Sequence, residues 1–185
     1  MSGRVWDMRK DYNPSLPFID LTKNETPLEI FTDWFNEAKK DDDSWEPNTM
    51  ILSTVDISGQ PSSRCVLLKQ FDAEGFQFFT NYESRKAKEI GQNNRVSLLF
   101  YWAKFNRQVI IRGHAEKLGS DVSRDYFGTR PLKSEISAYL SHQSQKITEE
   151  DFLALGIESR RLYEKYTQKG ESIPMPSQWF DHYFI

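Results

Sequence analysis

The chain has 185 residues, enough for one domain with a sizeable core, and its 24 Lys+Arg against 27 Asp+Glu leave a net charge of -3. That balance, with no block of Lys or Arg, excludes the basic surface of a nucleic-acid binder, and 38% hydrophobic with 28% charged residues excludes a disordered chain. A single cysteine, Cys65, excludes an internal disulfide and a Cys-rich zinc site, and three scattered histidines give no metal-ligand pattern.

Residues 1–25 are polar, carry Pro14 and Pro17, and read as an arm laid over the surface of a domain spanning 26–179. The first helix opens at Thr26, with Pro27 at the first helical position and Glu29 completing a Thr-x-x-Glu capping box. Leu28, Phe31, Trp34, Phe35 and Ala38 fall on one stripe at helical spacing, and the acidic run 41–43 ends the helix. Strands follow at 49–55, 62–71 and 76–80, separated by turns at Ser58-Gly59 and over 72–75. A short helix over 84–90, with Ser84 as its cap, precedes two more strands at 96–102 and 108–118. Helices are expected at 121–127, 134–140 and 148–166, the last opened by Thr148 and three acidic residues. The tail from Gly170 reads as irregular. Five or six closely spaced strands with helices outside point to an α+β protein, a small, mainly antiparallel barrel or an open sandwich. No apolar stretch reaches the roughly 18 residues of a membrane span. Residues 1–10 lack a signal core, so a cytoplasmic location without membrane contact is expected.

Three groups of residues stand out chemically. Arg64 and Lys69 bracket a run in which alternation puts 64, 66 and 68 on one face and 65, 67 and 69 on the other. Two such cations serve anions on either side of one strand, or reach past its ends to water. Ser84, Arg85 and Lys86 stand at a helix start, where free N–H groups, a hydroxyl and two cations make a phosphate cradle or merely a solvated first turn. Cations there oppose the helix dipole at a cost of about 0.3–1 kcal/mol, a conflict that a bound anion removes. A phosphate monoester, with about -1.5 to -2 charge, calls for roughly two of them. Tyr126, Arg130 and Ser134 form a third group, and Pro131 biases Arg130 out of the helical region, so a turn is expected to present all three.

The remaining candidates are plainer. Gln143-Ser144 reads as an exposed polar loop and Gln108 as a sheet-end amide. His114 and His142 have no carboxylate at a diagnostic spacing, and Cys65 is expected to be a buried, inert side chain. No Gly-rich dinucleotide or P-loop fingerprint occurs, and no side chain is singled out as catalytic.

Arg64-Cys65-Val66-Leu67-Leu68-Lys69, followed by Phe78-Phe79-Thr80-Asn81-Tyr82-Glu83-Ser84-Arg85-Lys86-Ala87, resembles the flavin-binding core of the pyridoxamine 5′-phosphate oxidase family. Further matches follow in order: the run 96–102, Arg107-Gln108-Val109, Tyr126-Phe127-x-x-Arg130-Pro131-x-x-Ser134 and Ser141-His142-Gln143-Ser144. With Met8-Arg9-Lys10-Asp11-Tyr12 the resemblance runs from about Met8 to Trp179. It implies a split β-barrel homodimer with FMN at the subunit interface. By motif position, Arg64, Cys65, Val66, Leu67, Leu68, Lys69, Phe79, Thr80, Arg85, Lys86, Gln108, Gln143 and Ser144 contact FMN. Lys69, Tyr126, Arg130 and Ser134 hold the phosphate of a vitamin B6 substrate, and Arg9 and Tyr12 fold over the pocket. The implied reaction oxidises C4′ of pyridoxamine or pyridoxine 5′-phosphate to pyridoxal 5′-phosphate, with O2 as acceptor and H2O2 as product.

The family pattern departs at the end. There it continues after Pro-x-x-Trp with Gly-Gly, a Trp-Gln-Gly strand and Arg-Leu-His-Asp-Arg, whereas here Trp179 is followed by a divergent tail, 180–185. The expectation is a lost barrel strand that leaves an unpaired sheet edge or exposed apolar surface. A non-catalytic FMN or B6-phosphate binder is the alternative this departure raises. A flavin reductase on the same barrel is disfavoured by the Tyr126, Arg130 and Ser134 set.

Overall fold

The computed structural model describes residues 25–41, 46–117, 127–176 and 181–185. The predicted arm therefore lies outside the described residues but for Glu25, as does the predicted helix 121–127 apart from Phe127.

Helix α1 spans Pro27–Lys39, and its capping box is formed: the Glu29 amide donates to Thr26 Oγ1 at 3.3 Å and the Thr26 amide to Glu29 Oε2 at 2.6 Å. The predicted stripe faces the core, with Phe31 and Ala38 buried and Leu28, Trp34 and Phe35 packed beside them. Phe31 is the hub, its ring 4.9, 5.0 and 5.1 Å from those of Phe71, Phe76 and Phe100 in edge-to-face contacts.

Strands β1 (Thr49–Val55) and β2 (Pro61–Leu67) form an antiparallel hairpin in register from Thr49↔Leu67 to Val55↔Pro61. Asp56 closes its turn by accepting from the Ser58 and Gln60 amides at 2.9 and 3.0 Å, with Gly59 at φ +86°, where a side chain would be strained. The other strands are β3 (Gln70–Phe71), β4 (Phe76–Thr80), β5 (Arg95–Trp102), β6 (Arg107–His114), β7 (Glu116–Lys117) and β8 (Asp181–Phe184).

Two predicted strands, 62–71 and 108–118, are each cut in two where the chain changes sheet. At the first corner the Leu68 amide donates to the Asn48 carbonyl beside β1, and the next amide, Lys69, donates to Gln77 in β4, both at 2.9 Å. At the second, buried Ala115 donates to the Asn94 carbonyl at 2.8 Å before the chain enters β7. Two four-stranded sheets result, in the orders β2-β1-β5-β6 and β3-β4-β8-β7, joined at these corners as a split barrel. Met50, Leu52, Leu98 and Phe100 from one sheet meet Phe76, Phe78 and Tyr183 from the other.

The divergent tail corrects an expectation. Residues 181–184 are not irregular and the edge of β4 is not left open, because β8 pairs antiparallel with β4 on one side and β7 on the other. Tyr183 is 1% exposed and stacks on Phe78 at 5.6 Å. Ile185 exchanges backbone bonds with Phe76 at 3.0 and 3.1 Å. Gly75 accommodates this approach: a Cβ there would stand 2.2 Å from the Ile185 carbonyl oxygen. Tyr183 and Ile185, at alternate positions, supply the aromatic and β-branched side chains that strand pairing favours.

Helix α2 (Arg85–Gln92) leaves β4 through the turn 81–84. Helices α3 (Leu132–Leu140) and α4 (Glu149–Lys169) pack on each other around Phe127, Ile136, Leu162 and Ile173, a second core separate from that of the barrel. Thr148 and Asp151 form the capping box of α4, and Gly170 ends it at φ +65°. Among the described residues no helix is long and apolar enough to cross a membrane.

Candidate functional site

Three elements converge at the start of α2. Thr80 ends β4, the Glu83 amide bonds to Asn81 Oδ1 at 2.7 Å, and buried Ser84 caps the helix by accepting from the Ala87 amide at 3.4 Å. This places Arg85 and Lys86 in the first turn, where the exposed amides and the helix dipole already favour an anion.

The two cations are held differently. Lys86 is 7% exposed, and its Nζ donates to Thr80 Oγ1 at 2.9 Å and to Gln143 Oε1 at 3.1 Å. Burial, helped by the nearby charge of Arg64, lowers its pKa to about 8. Arg85 reaches outward; its amide donates to Ser144 Oγ at 3.2 Å and its Nε to Glu89 Oε1 at 2.7 Å. Residues 57 and 59 positions apart thus meet at one point.

Behind them lies a buried ionic network. Arg64 donates through Nη1 to the Leu52 carbonyl at 3.2 Å and Thr54 Oγ1 at 2.6 Å, and through Nη2 to Ser62 Oγ at 2.6 Å and Glu89 Oε2 at 3.1 Å. The Thr54 and Ser62 hydroxyls in turn donate to Glu89 Oε2 at 2.5 and 2.7 Å. Burial by itself would raise the Glu89 carboxyl. The hydroxyls of Thr54 and Ser62 and the guanidiniums of Arg85 and Arg64 outweigh it and hold the group at about 2. Arg64, Arg85 and Lys86 against this one carboxylate leave two positive charges in excess, which matches a phosphate monoester.

The other candidates lie around this point. Val66 and Leu67 are half-buried on β2, and Leu68 is buried at the corner. Lys69, past the corner, is exposed; it and Arg64 do not share one strand, so the alternation argument does not relate them. Cys65 is exposed rather than buried, because β2 turns Arg64 and Val66 inward. With Ile51, Leu99 and Tyr101 it lines a cavity of about 520 Å³ on the outer face of the first sheet. Gln108 is exposed on β6 opposite Tyr101, and Phe79 is half-buried on β4. Gln143 and Ser144 also border a cavity of about 1000 Å³ formed with Phe152, Ile157 and Arg160 of α4.

Of the third group, Arg130 lies in a turn closed by its amide bond to the Phe127 carbonyl at 3.2 Å, as Pro131 predicts, with its guanidinium 5.7 Å from the Phe127 ring centre. Ser134 sits half-buried in the first turn of α3. Tyr126, Arg9 and Tyr12 lie outside the described residues. Sequence reasoning missed Glu89, Thr54 and Ser62. The available signals were the four-residue spacing of Arg85 and Glu89, and the hairpin register that sets Thr54 opposite Ser62.

Comparison with known proteins gives a consistent result. The family profile described as pyridoxamine 5′-phosphate oxidase matches residues 39–164. A protein of Bordetella avium named pyridoxine/pyridoxamine 5′-phosphate oxidase is 43% identical over 175 residues, covering 95% of this chain and 80% of the relative. One of the same name from Colwellia psychrerythraea is 44% identical over 165 residues, covering 89% of this chain and 74% of its own. Among solved structures, PhzG from Burkholderia lata, in complex with tetrahydrophenazine-1-carboxylic acid, has a TM-score of 0.80 at 24% identity, covering 92% of this chain and 81% of that one. A pyridoxamine 5′-phosphate oxidase-related, FMN binding protein from Nostoc punctiforme has a TM-score of 0.63 at 14% identity, covering 88% and 81%. At these identities the two structures show the shared split-barrel fold.

Proposed function

This chain belongs to the pyridoxamine 5′-phosphate oxidase family, and from that premise we propose that it oxidises pyridoxamine or pyridoxine 5′-phosphate to pyridoxal 5′-phosphate with FMN as cofactor. The observation that carries this reading is the cradle at α2: a capped helix start, a hydroxyl and three cations against one carboxylate fit a flavin phosphate in charge and in donor chemistry. Arg64, Arg85, Lys86, Thr80, Gln143 and Ser144 would hold that phosphate. The run 65–69, Phe79 and Gln108 would border the remainder of the cofactor.

When bound, flavin supplies a two-electron acceptor that O2 regenerates, so the alcohol and O2 give the aldehyde and H2O2, and the amine with O2 and water gives the aldehyde, ammonia and H2O2. The protein's part is alignment. Lys69, Tyr126, Arg130 and Ser134 would grip the substrate phosphate, with Arg9 and Tyr12 closing over the ring and excluding water. No side-chain nucleophile is needed.

A second copy of the chain is part of this reading. Tyr101 and Ile110, 65% and 52% exposed, lie on the outer face of the first sheet with half-buried Ile51 and Leu99. An apolar sheet face of this kind, beside Cys65 and Gln108, suits a homodimer that encloses the flavin. The test is to purify the chain with FMN, measure its mass in solution and its flavin absorbance, then supply pyridoxine 5′-phosphate and follow H2O2 and pyridoxal 5′-phosphate. A yellow dimer that turns over supports the proposal. A flavin-loaded protein without turnover overturns the catalytic part and leaves a binder.

A further inference from the structure

We propose that Glu89 is a positioning residue for the anion cradle: it restrains the Arg85 guanidinium, whose terminal nitrogens it leaves for the bound phosphate, and it serves as the counter-ion of Arg64 within the fold. The inference rests on the reading of the α2 cradle as the FMN phosphate site. It deepens that reading by assigning a role to a carboxylate that has no evident reason to stand beside an anion site.

The geometry carries the argument. Glu89 is 4% exposed, and burying an ionised carboxylate is expensive unless its oxygens are satisfied. Four donors from three elements satisfy it: Thr54 from β1, Ser62 and Arg64 from β2, and Arg85 from its own helix. The Arg85 bond uses Nε, one turn away at 2.7 Å, while the side chain remains 60% exposed. The bond to Glu89 occupies only Nε of the Arg85 guanidinium, so its terminal nitrogens are left for a ligand while the anchor restrains the side chain. Without the anchor Arg85 is a surface side chain with its full rotamer freedom to lose on binding. Arg64 is the converse case. Only 21% of its side chain is exposed, and Glu89 neutralises a guanidinium that would otherwise be buried beside Lys86 with no opposite charge from α2.

The role yields a test whose sign separates it from simple electrostatics. Glu89→Gln keeps the shape and removes one negative charge from beside an anion site. Summed charge alone predicts that FMN then binds more tightly. Positioning predicts the reverse, a rise in Kd of roughly tenfold or more, the usual worth of a hydrogen bond between charged groups. FMN fluorescence quenching reads Kd, and circular dichroism and melting of the flavin-free protein report whether the variant is folded. The loss should also be non-additive with Arg85→Ala, since a residue acting through Arg85 has nothing left to position once that side chain is gone. If Glu89→Gln fails to fold, Arg85→Lys carries the test: it keeps the charge, loses the Nε anchor and should also weaken FMN roughly tenfold. A wild-type chain that does not quench FMN overturns the cofactor reading and this inference together. A wild type that binds, with a folded Glu89→Gln variant of equal or higher affinity or with fully additive losses, overturns the positioning role alone.

Discussion

At the start of α2 the basic residues are tied into the barrel: Arg64 is spent on Leu52, Thr54, Ser62 and Glu89, and Lys86 on Thr80 and Gln143. On the segment leading into α3, the Arg130 guanidinium lies 5.7 Å from the centre of the Phe127 ring, and Phe127 belongs to the second, helical core. In the function proposed above, the first place would hold the cofactor's phosphate and the second the substrate's. The tied arrangement at α2 suits a cofactor that stays bound, because a preorganised cradle lowers the cost of ordering side chains on binding.

The sharpest way to break this contrast is to cut the barrel away from the cradle. Tyr183→Ala removes a fully buried ring from β8, its stack on Phe78 and its edge contact with Tyr82, which lies two residues before the cap Ser84. The expected cost is about 3–5 kcal/mol of stability, read as a large fall in Tm, with FMN affinity falling in parallel. A variant that melts early but retains wild-type affinity for FMN would show that the cradle does not depend on the barrel beneath it.

Next in size are the two arginines, whose variants should separate the sites. Arg85→Ala should weaken FMN by about 1.5–3 kcal/mol, or roughly 10- to 150-fold in Kd, measured by fluorescence quenching. Arg130→Ala should leave the protein yellow and raise the substrate KM by a similar factor. A colourless Arg130→Ala protein, or a yellow Arg85→Ala protein of unchanged affinity, would erase the division of labour.

The sequence showed local features better than long-range ones, for a physical reason. Capping, stripe and turn signals are local, so α1, the 56–60 turn, the Ser84 cap and the α4 capping box were legible, as were the phosphate-prone residues at α2. The sheet corners at Leu68-Lys69 and Ala115 were not, because a continuous run of strand-forming residues carries no mark of which sheet each amide will join. The same limit hid Glu89: its partners Thr54 and Ser62 are 35 and 27 residues away, and only the β1–β2 register brings them to α2. Cys65 was misplaced because burial was inferred from the apolar run around it, when alternation of β2 about Arg64 sends it to the outer face.

The smallest predicted effect is a pH dependence, and its sign can be worked out in two opposed ways. Burial, with help from Arg64, lowers Lys86 from 10.5 to about 8 in the flavin-free protein. The folded state therefore binds fewer protons than the unfolded chain between about pH 8 and 10.5, so this group's contribution makes stability rise with pH across that window and level off on either side. Flavin affinity should move the other way. A phosphate beside Lys86 favours the ammonium, so binding takes up a proton once the free protein has begun to lose it. Affinity should hold steady below about pH 7 as far as this group is concerned and then weaken, by at most about tenfold per unit, as pH rises through 8. Lys86→Met keeps an unbranched, unionisable chain and should abolish both slopes, which melting curves of the flavin-free protein and FMN titrations over the same pH series would read separately. If the Lys86→Met variant retains the wild-type fall in affinity above pH 8, the proton belongs to another group and Lys86 is not the buried cation of the cradle.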